Sequence, residues 1–414
     1  MSDNGIELTY DPFTLPTVQH RAGLAGLLVL IESLRRRKIK SLPETSQTND
    51  GRFLIRLKKE SLNLLFNDLY DTVTLEIESD KKRKDKKKRE IPPLREEKKT
   101  NPKTGKQKTM YIYPQLLPKG CFLSTFNMPD IWLKLWQDAI WGTLRDRPTT
   151  RKPYQQRESN EPLSEVEKVW KDLETFQQKQ VKNKIHTVEI ASSIFVGAQS
   201  QNAEHIPFRG RADEAFLLYF WPVVMGVYVP EVIDIEGKTK FSGYVLTVPD
   251  VSDLFGFIED FPEIIHSLGE TAAGYRPRGA VISIPQEGGL EYIHHLTDLA
   301  KGKFQSGNIG YSITGVEVYH LKKRGNNVIL RMADRITASR VLLEKYEAIR
   351  NQYYNPIFKR QIILNLLRGE PWYRRFDRTF SKNKYERFIG SQTRQFSRDV
   401  RHCFTNSLQE RRVK

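Results

Sequence analysis

The residues best suited to chemistry lie in one segment, VGAQSQNAEHIPFRGRADEAFLLYFWP, which spans 196–222. Gly197 and Gly210 bracket a loop that carries Gln199, Ser200, Gln201, Asn202, His205, Arg209 and Arg211. An amide side chain offers a donor and an acceptor side by side, which matches the edge of a base, and arginine can address guanine or a phosphate. Such a loop can read nucleic acid, or it can be a well-satisfied structural turn.

Catalytic chemistry has thinner support. No GxxxxGK[ST] loop, HExxH helix or nucleophile elbow occurs. Cys121 and Cys403 form neither a disulfide framework nor a zinc-ligand cluster, so no metal and no cofactor is expected. Single histidines can serve metal-independent ribonucleases as general acid or base, and His20, His186 and His205 stay open for that role.

Positive charge gives a second signal. There are 67 Lys and Arg against 50 Asp and Glu, a net charge of +17. Residues 81–109 carry +10 and residues 334–414 carry +11, which leaves −4 for the remainder. A mildly acidic body with two basic segments marks a localised footprint for a polyanion, although solvated charged stretches would give the same count. The first segment holds Lys81, Lys82, Arg83, Lys84, Lys86, Lys87 and Lys88, then Pro92, Pro93 and NPKTGK. Without an apolar face, it reads as a long, mobile hairpin loop (79–109) gripping phosphates regardless of sequence. RDRPTTRKPYQQR follows a tryptophan-rich helix; its prolines predict an extended path projecting Arg145, Arg147, Arg151 and Arg157 towards a backbone. The turn GYRPRG exposes Arg276 and Arg278 to the same use. In the tail, Arg387, Arg394, Arg398, Arg401 and Arg412 fall on one helical face, opposite Tyr385, Ile389, Phe396, Val400 and Cys403.

The elements that must position these groups follow from periodicity. Pro16 to Arg37 reads as a helix, its run Ala22–Ile31 buried, with Gly23 and Gly26 allowing close approach to a neighbour. Phe53, Ile55 and Leu57 alternate as a strand, as do Val73, Leu75 and Ile77. Residues 128–144 form a helix whose Trp132, Trp136 and Trp141 can fill a core or stack on bases. A polar helix covers 163–184. From 223 to 331 strands and helices interleave, with hairpin signals at EGK and RGNN; after Asp334 the pattern turns helical, with a stripe of Leu342, Tyr346, Ile349 and Tyr353. The expected fold is multi-domain α+β: mixed α/β N-terminal (1–160) and central (161–333) regions, then a C-terminal helical bundle (334–414). The N-terminus lacks the charge pattern of a signal peptide and no run reaches a membrane span, so the reading is cytoplasmic with no membrane contact.

Three segments carry a resemblance: FTLPTVQHRAGLAGLLVLIESL, NMPDIWLKLWQDAIWGTLRDRPTTRKPYQQR and IFVGAQSQNAEHIPFRGRADEAFLLYFWP. Together, over about a fifth of the chain, they resemble the Cas8 family, the large subunit of the type I CRISPR Cascade complex. The closest likeness is to type I-B and myxobacterial-type variants, some of which serve CRISPR-associated transposons. The resemblance implies a non-catalytic subunit that recognises the protospacer-adjacent motif (PAM) in duplex DNA, assists its opening and supports the R-loop. It implies as partners the guide RNA with its 5′ handle, target double-stranded DNA and its displaced strand, and the Cascade backbone, handle-capping and small subunits. The recruited effector would be a nuclease-helicase or a transposition adaptor (TniQ). On this reading Gln199, Gln201, Asn202, Arg209 and Arg211 read the motif, the basic loop holds duplex backbone, and the tail arginines hold displaced strand or heteroduplex. A tail of about 80 residues is short for a complete small-subunit-like bundle. The competing reading is a metal-independent endoribonuclease that processes repeat RNA.

Overall fold

The computed structural model describes residues 5–83, 89–100, 107–198, 207–233, 239–303, 312–384, 388 and 394–413. They form a multi-domain α+β structure with several small sheets. Strand β1 (Ile6–Tyr10) leads into helix α1 (Val18–Arg36), then β2 (Glu44–Gln47), β3 (Phe53–Leu57) and α2 (Lys59–Leu69). The three strands make an antiparallel sheet with β3 central. Ile6, Leu8 and Tyr10 alternate into the core with Phe53, Ile55 and Leu57, as a period of two demands.

Next come β4 (Thr72–Ser79), β5 (Arg95–Thr100) and β6 (Gln107–Pro118), in the sheet order β4-β6-β5. The expected hairpin therefore exists, but residues 95–100 correct the expectation of a loop throughout. They pair antiparallel with β6, from Arg95 opposite Ile112 to Thr100 opposite Gln107. Charge replaces apolar alternation in holding this edge strand: Arg95 reaches across β6 to both carboxylate oxygens of Glu76 at 2.6–2.7 Å, and Lys99 bonds Glu78.

Helices α3 (Cys121–Thr125), α4 (Asp130–Gly142), α5 (Pro148–Glu158) and α6 (Ser164–Val181) precede the two-stranded ribbon of β7 (Thr187–Glu189) and β8 (Arg209–Arg211), then α7 (Ala212–Leu217) and α8 (Trp221–Val224). Trp132 and Trp136 of α4 are buried, donating their indole N–H groups to the carbonyls of Gly269 and Pro222 at 2.9 and 3.0 Å; they are core residues. The glycines of α1 act as expected. A Cβ on Gly23 would lie 2.3 Å from the Leu217 carbonyl oxygen, and one on Gly26 would lie 2.1 Å from that of Phe220. Only hydrogen side chains let the α1 backbone lie on the α7–α8 segment.

The largest sheet contains β9 (Gly226–Ile233), β10 (Thr239–Phe241) and β11 (Tyr244–Val251); after α9 (Leu254–His266), the short pair β12 (Ala272–Ala273) and β13 (Arg276–Pro277), β14 (Val281–Ile282) and α10 (Pro285–Lys303), it adds β15 (Ile313–Arg324) and β16 (Asn327–Thr337). Its order is β10-β9-β11-β15-β16, with β14 parallel beside β9. Strand β11 is buried from Val245 to Val251 because both of its faces are covered. Val245 and Thr247 meet Gly288 of α10, while Asp250, of the opposite parity, receives Arg21 of α1 at 2.5 Å.

Strand β16 runs past Asp334 to Thr337, so the helical tail starts later than the sequence pattern suggests. It consists of α11 (Arg340–Gln352), α12 (Pro356–Leu367), α13 (Phe376–Ser381) and α14 (Arg394–Val413). Ser339 caps α11, and the Asn355 side chain accepts from the Ile357 and Phe358 amides at 3.0 Å to cap α12. Buried Asp399 of α14 accepts from the amides of Tyr354 and Asn355 at 2.8 and 2.7 Å, closing the tail on itself. The tail meets the body through buried charge: Tyr346 donates to Glu287 and Glu291, Arg350 pairs with Glu291 at 2.8 Å, and Lys359 with Glu287 at 2.8 Å.

Candidate nucleic-acid interface

The ribbon β7–β8 fixes one end of the amide and arginine loop, with Thr187 opposite Arg211 and Glu189 opposite Arg209. Helix α1 fixes the other: the Gln19 amide donates to the Val196 carbonyl and accepts from the Val196 N–H, both at 2.9 Å. Phe208 stacks on Phe195 with centroids 5.2 Å apart and planes 5° from parallel. Both flanks of the loop are thus held in place; Gln199, Gln201 and Asn202 lie outside the described residues. The two arginines differ. Arg211 spans both carboxylate oxygens of buried Asp213 at 2.6 and 3.1 Å, approaches Glu214 at 3.6 Å and lies over the Phe176 ring. Its guanidinium is already committed. Arg209 is exposed and has no ion-pair partner among the described residues.

The segment from 145 to 157 corrects expectation twice. Pro148 sits in the first helical turn, where its missing N–H costs nothing, so 148–158 is helical and not extended. Most of its arginines turn inward. Arg145 is 4% exposed and donates to the carbonyls of Ser193 and Leu144 at 2.6 and 3.3 Å, which removes it from any backbone contact. Arg151 donates to the carbonyls of Arg145 and Trp141, with its guanidinium 4.2 Å from the Trp141 ring centroid. Arg157 is half-buried near Asp71 at 3.9 Å. Arg147 alone of the four is exposed. Likewise Arg276 is buried, paired with Asp138 at 2.9 Å and donating to the Tyr244 hydroxyl at 3.0 Å, whereas Arg278 is exposed. Arginines were misassigned here because their acceptors come from distant parts of the chain.

In the first basic segment Lys81, Lys82 and Arg83 are exposed, with Lys82 near Glu90 at 3.5 Å and Arg83 over the Tyr113 ring. Lys84, Lys86, Lys87 and Lys88 lie outside the described residues. In the tail, Phe396 and Cys403 are buried and Arg398 and Arg401 face outward, the expected division of α14. Arg398 lies over Tyr354, 4.7 Å from its centroid. The helical backbone includes Arg394 and Arg412, but their side chains, like all of Arg387, lie outside the described residues. Periodicity singled out α14 but overlooked the cations of α12 and α13: Arg360 and Arg368, and Arg378 and Lys382. Their spacings of eight and four are the signal for them in the sequence.

The histidines have structural surroundings. His20 is 5% exposed, bonded to Thr17 at 2.8 Å, and burial beside Arg21 lowers its pKa to about 4. His186 packs between Lys179 at 3.1 Å and Asp172 at 3.6 Å; His205 lies outside the described residues. Among the described residues no group of three or more His, Cys, Asp or Glu is placed to hold a metal, and no helix is long and apolar enough to cross a membrane.

Family models match almost the whole chain: the type I-B CRISPR Cas8b N-terminal domain over residues 42–306, and the type I-B CRISPR Cas8b C-terminal domain over residues 313–414. No curated protein matches it. The second match opens at β15, so the C-terminal unit of the family takes in the last hairpin of the large sheet together with the helical tail. With both models matched in order, the chain belongs to the Cas8b family, the large subunit of the type I-B CRISPR Cascade.

Proposed function

We propose that this Cas8b recognises the PAM through the loop between Val196 and Arg211, helps to open the duplex there, and supports the R-loop with its helical tail. The observation that carries the reading is the contrast at β8: Arg211 is neutralised by Asp213, while Arg209, two residues away, is exposed on a stem anchored to α1 and forms no ion pair among the described residues. An arginine so placed is available to a base edge or a groove phosphate. Gln199, Gln201 and Asn202 complete the motif reader. Lys81, Lys82, Arg83, Arg147 and Arg278 are the exposed groups suited to duplex backbone, and Arg398 and Arg401 to the displaced strand or the heteroduplex. The partners are the guide RNA, the backbone, handle-capping and small subunits, and an effector recruited after the R-loop forms.

The test is a complex assembled on guide RNA with Arg209→Ala and Gln201→Ala. Binding to motif-bearing duplex is lost while the guide and the other subunits still copurify; undiminished duplex binding would overturn the assignment of the loop. No observation favours a repeat-RNA endoribonuclease: His20 is enclosed in the core. Cleavage of repeat RNA in chelator by the purified chain, lost in His205→Ala, would reverse that judgement.

A further inference from the structure

Helices α12 and α13 and the body strand β9 enclose a cleft of about 400 Å³ at the seam between tail and body. Arg360 and Arg368 line it from α12, Arg378 and Lys382 from α13 and its C-cap. All four are exposed, and none has an ion-pair partner among the described residues. Residues 360, 364 and 368 recur every four positions and 378 and 382 do the same, so two helical faces turn their cations into one concavity. Arg375 also lines the cleft, but Glu370 occupies its guanidinium at 2.6–3.1 Å. Its φ of 63° is left-handed, a strained conformation for a non-glycine residue. Glu231, on the opposite wall, is the one acid among the described lining residues, and it forms no ion pair with these cations.

Four like charges around a hollow repel one another and are relieved by a bound polyanion. Guanidinium forks match phosphate oxygens, and Ile357 and Leu364 add an apolar surface between the cations. The volume falls within the roughly 300–1,000 Å³ of sites that hold molecules of nucleotide size. We propose that this cleft takes the phosphodiester backbone of a nucleic-acid single strand, with one nucleoside seated against Ile357 and Leu364. Among the described residues of the α14 stripe, Arg398 and Arg401 do not line it. The inference rests on the nucleic-acid reading above, but not on the motif loop.

The full chain is titrated with fluorescein-labelled oligo-dT and oligo-U strands and with motif-bearing duplex over a range of salt. For R368Q/R378Q/K382Q, the expected result is single-strand affinity about 100-fold weaker at about 0.1 M salt and a log–log salt slope shallower by about 2, three contacts at about 0.7 each. A greater loss for oligo-U identifies an RNA strand as the occupant, a greater loss for oligo-dT a DNA strand, and equal losses a site for either backbone. Leu364→Trp, which fills the cleft without changing charge, weakens both strands several-fold and carries the test if the triple variant melts early. Wild-type affinity and slope in both variants overturn the proposal, as does a parent chain that binds neither strand. The motif-bearing duplex reports on the loop and the single strands report on the cleft, so failure of the motif loop and failure of the cleft are separable.

Discussion

One set of arginines in the body and one set in the tail are used in opposite ways. In the body, Arg145, Arg151 and Arg276 are folded inward onto carbonyls, aromatic rings and Asp138. In the tail, Arg360, Arg368, Arg378 and Arg401 face solvent without ion-pair partners among the described residues. The lesson is that arginine content does not locate a polyanion site; the distribution of acceptors does. A buried guanidinium persists only where acceptors compensate its desolvation, and once compensated it is structural. An uncompensated row of exposed cations is what a phosphate backbone can use.

The contrast can be broken most directly at Arg145. Arg145→Ala should cost about 3 kcal/mol of stability by leaving the Ser193 and Leu144 carbonyls without their donor, read as a lower denaturant midpoint. Strand affinity measured well below the melting transition should not change. If it falls while the midpoint holds, the inward assignment is wrong.

The body core should also report on pH through His20. Its folded pKa, near 4, lies below the ordinary value of 6.5, so the unfolded chain takes up the proton first as pH falls. This stabilisation is complete above about pH 6.5, shrinks through the window and is gone below about 4, with a full amplitude of about 3 kcal/mol. Denaturation curves at pH 7 and pH 5 should converge in His20→Gln relative to the parent.

Arg209 sharpens the comparison as one of the body's outward arginines, with Arg147 and Arg278. Arg209→Ala should leave the melting midpoint in place and weaken motif-bearing duplex by about 2 kcal/mol, near 30-fold, with little effect on unrelated duplex. The smallest effect belongs to α14: Arg398→Gln with Arg401→Gln should flatten the single-strand salt slope by about 1.4, without sequence preference. An unchanged slope would remove α14 from the strand path.

Much of the scaffold was readable from sequence. Alternation placed β3 and β4, the glycine pair in α1 foretold close packing on a neighbour, which is the α7–α8 segment, and the apolar stripes of α11 and α14 gave their buried faces. Strand β5 escaped because its residues, REEKKT, have no apolar alternation; pairing with β6 and ion pairs to β4 hold it. In the candidate interface the loop, its flanking glycines and the tail stripe were visible, but not which arginines are free.

What the chain determines by itself is what depends on near neighbours in sequence: strand period, helix face, caps and the location of charge in two segments. Which way an arginine points was decided by the tertiary structure alone. The Ser193 carbonyl that holds Arg145 is 48 residues away, and the Asp138 that holds Arg276 is 138 residues away. Arg209 and Arg211, by contrast, share one short strand and differ because Asp213 sits within reach of only one of them. A guanidinium has the same charge and reach in every setting, so its role is set by the acceptors that folding brings to it.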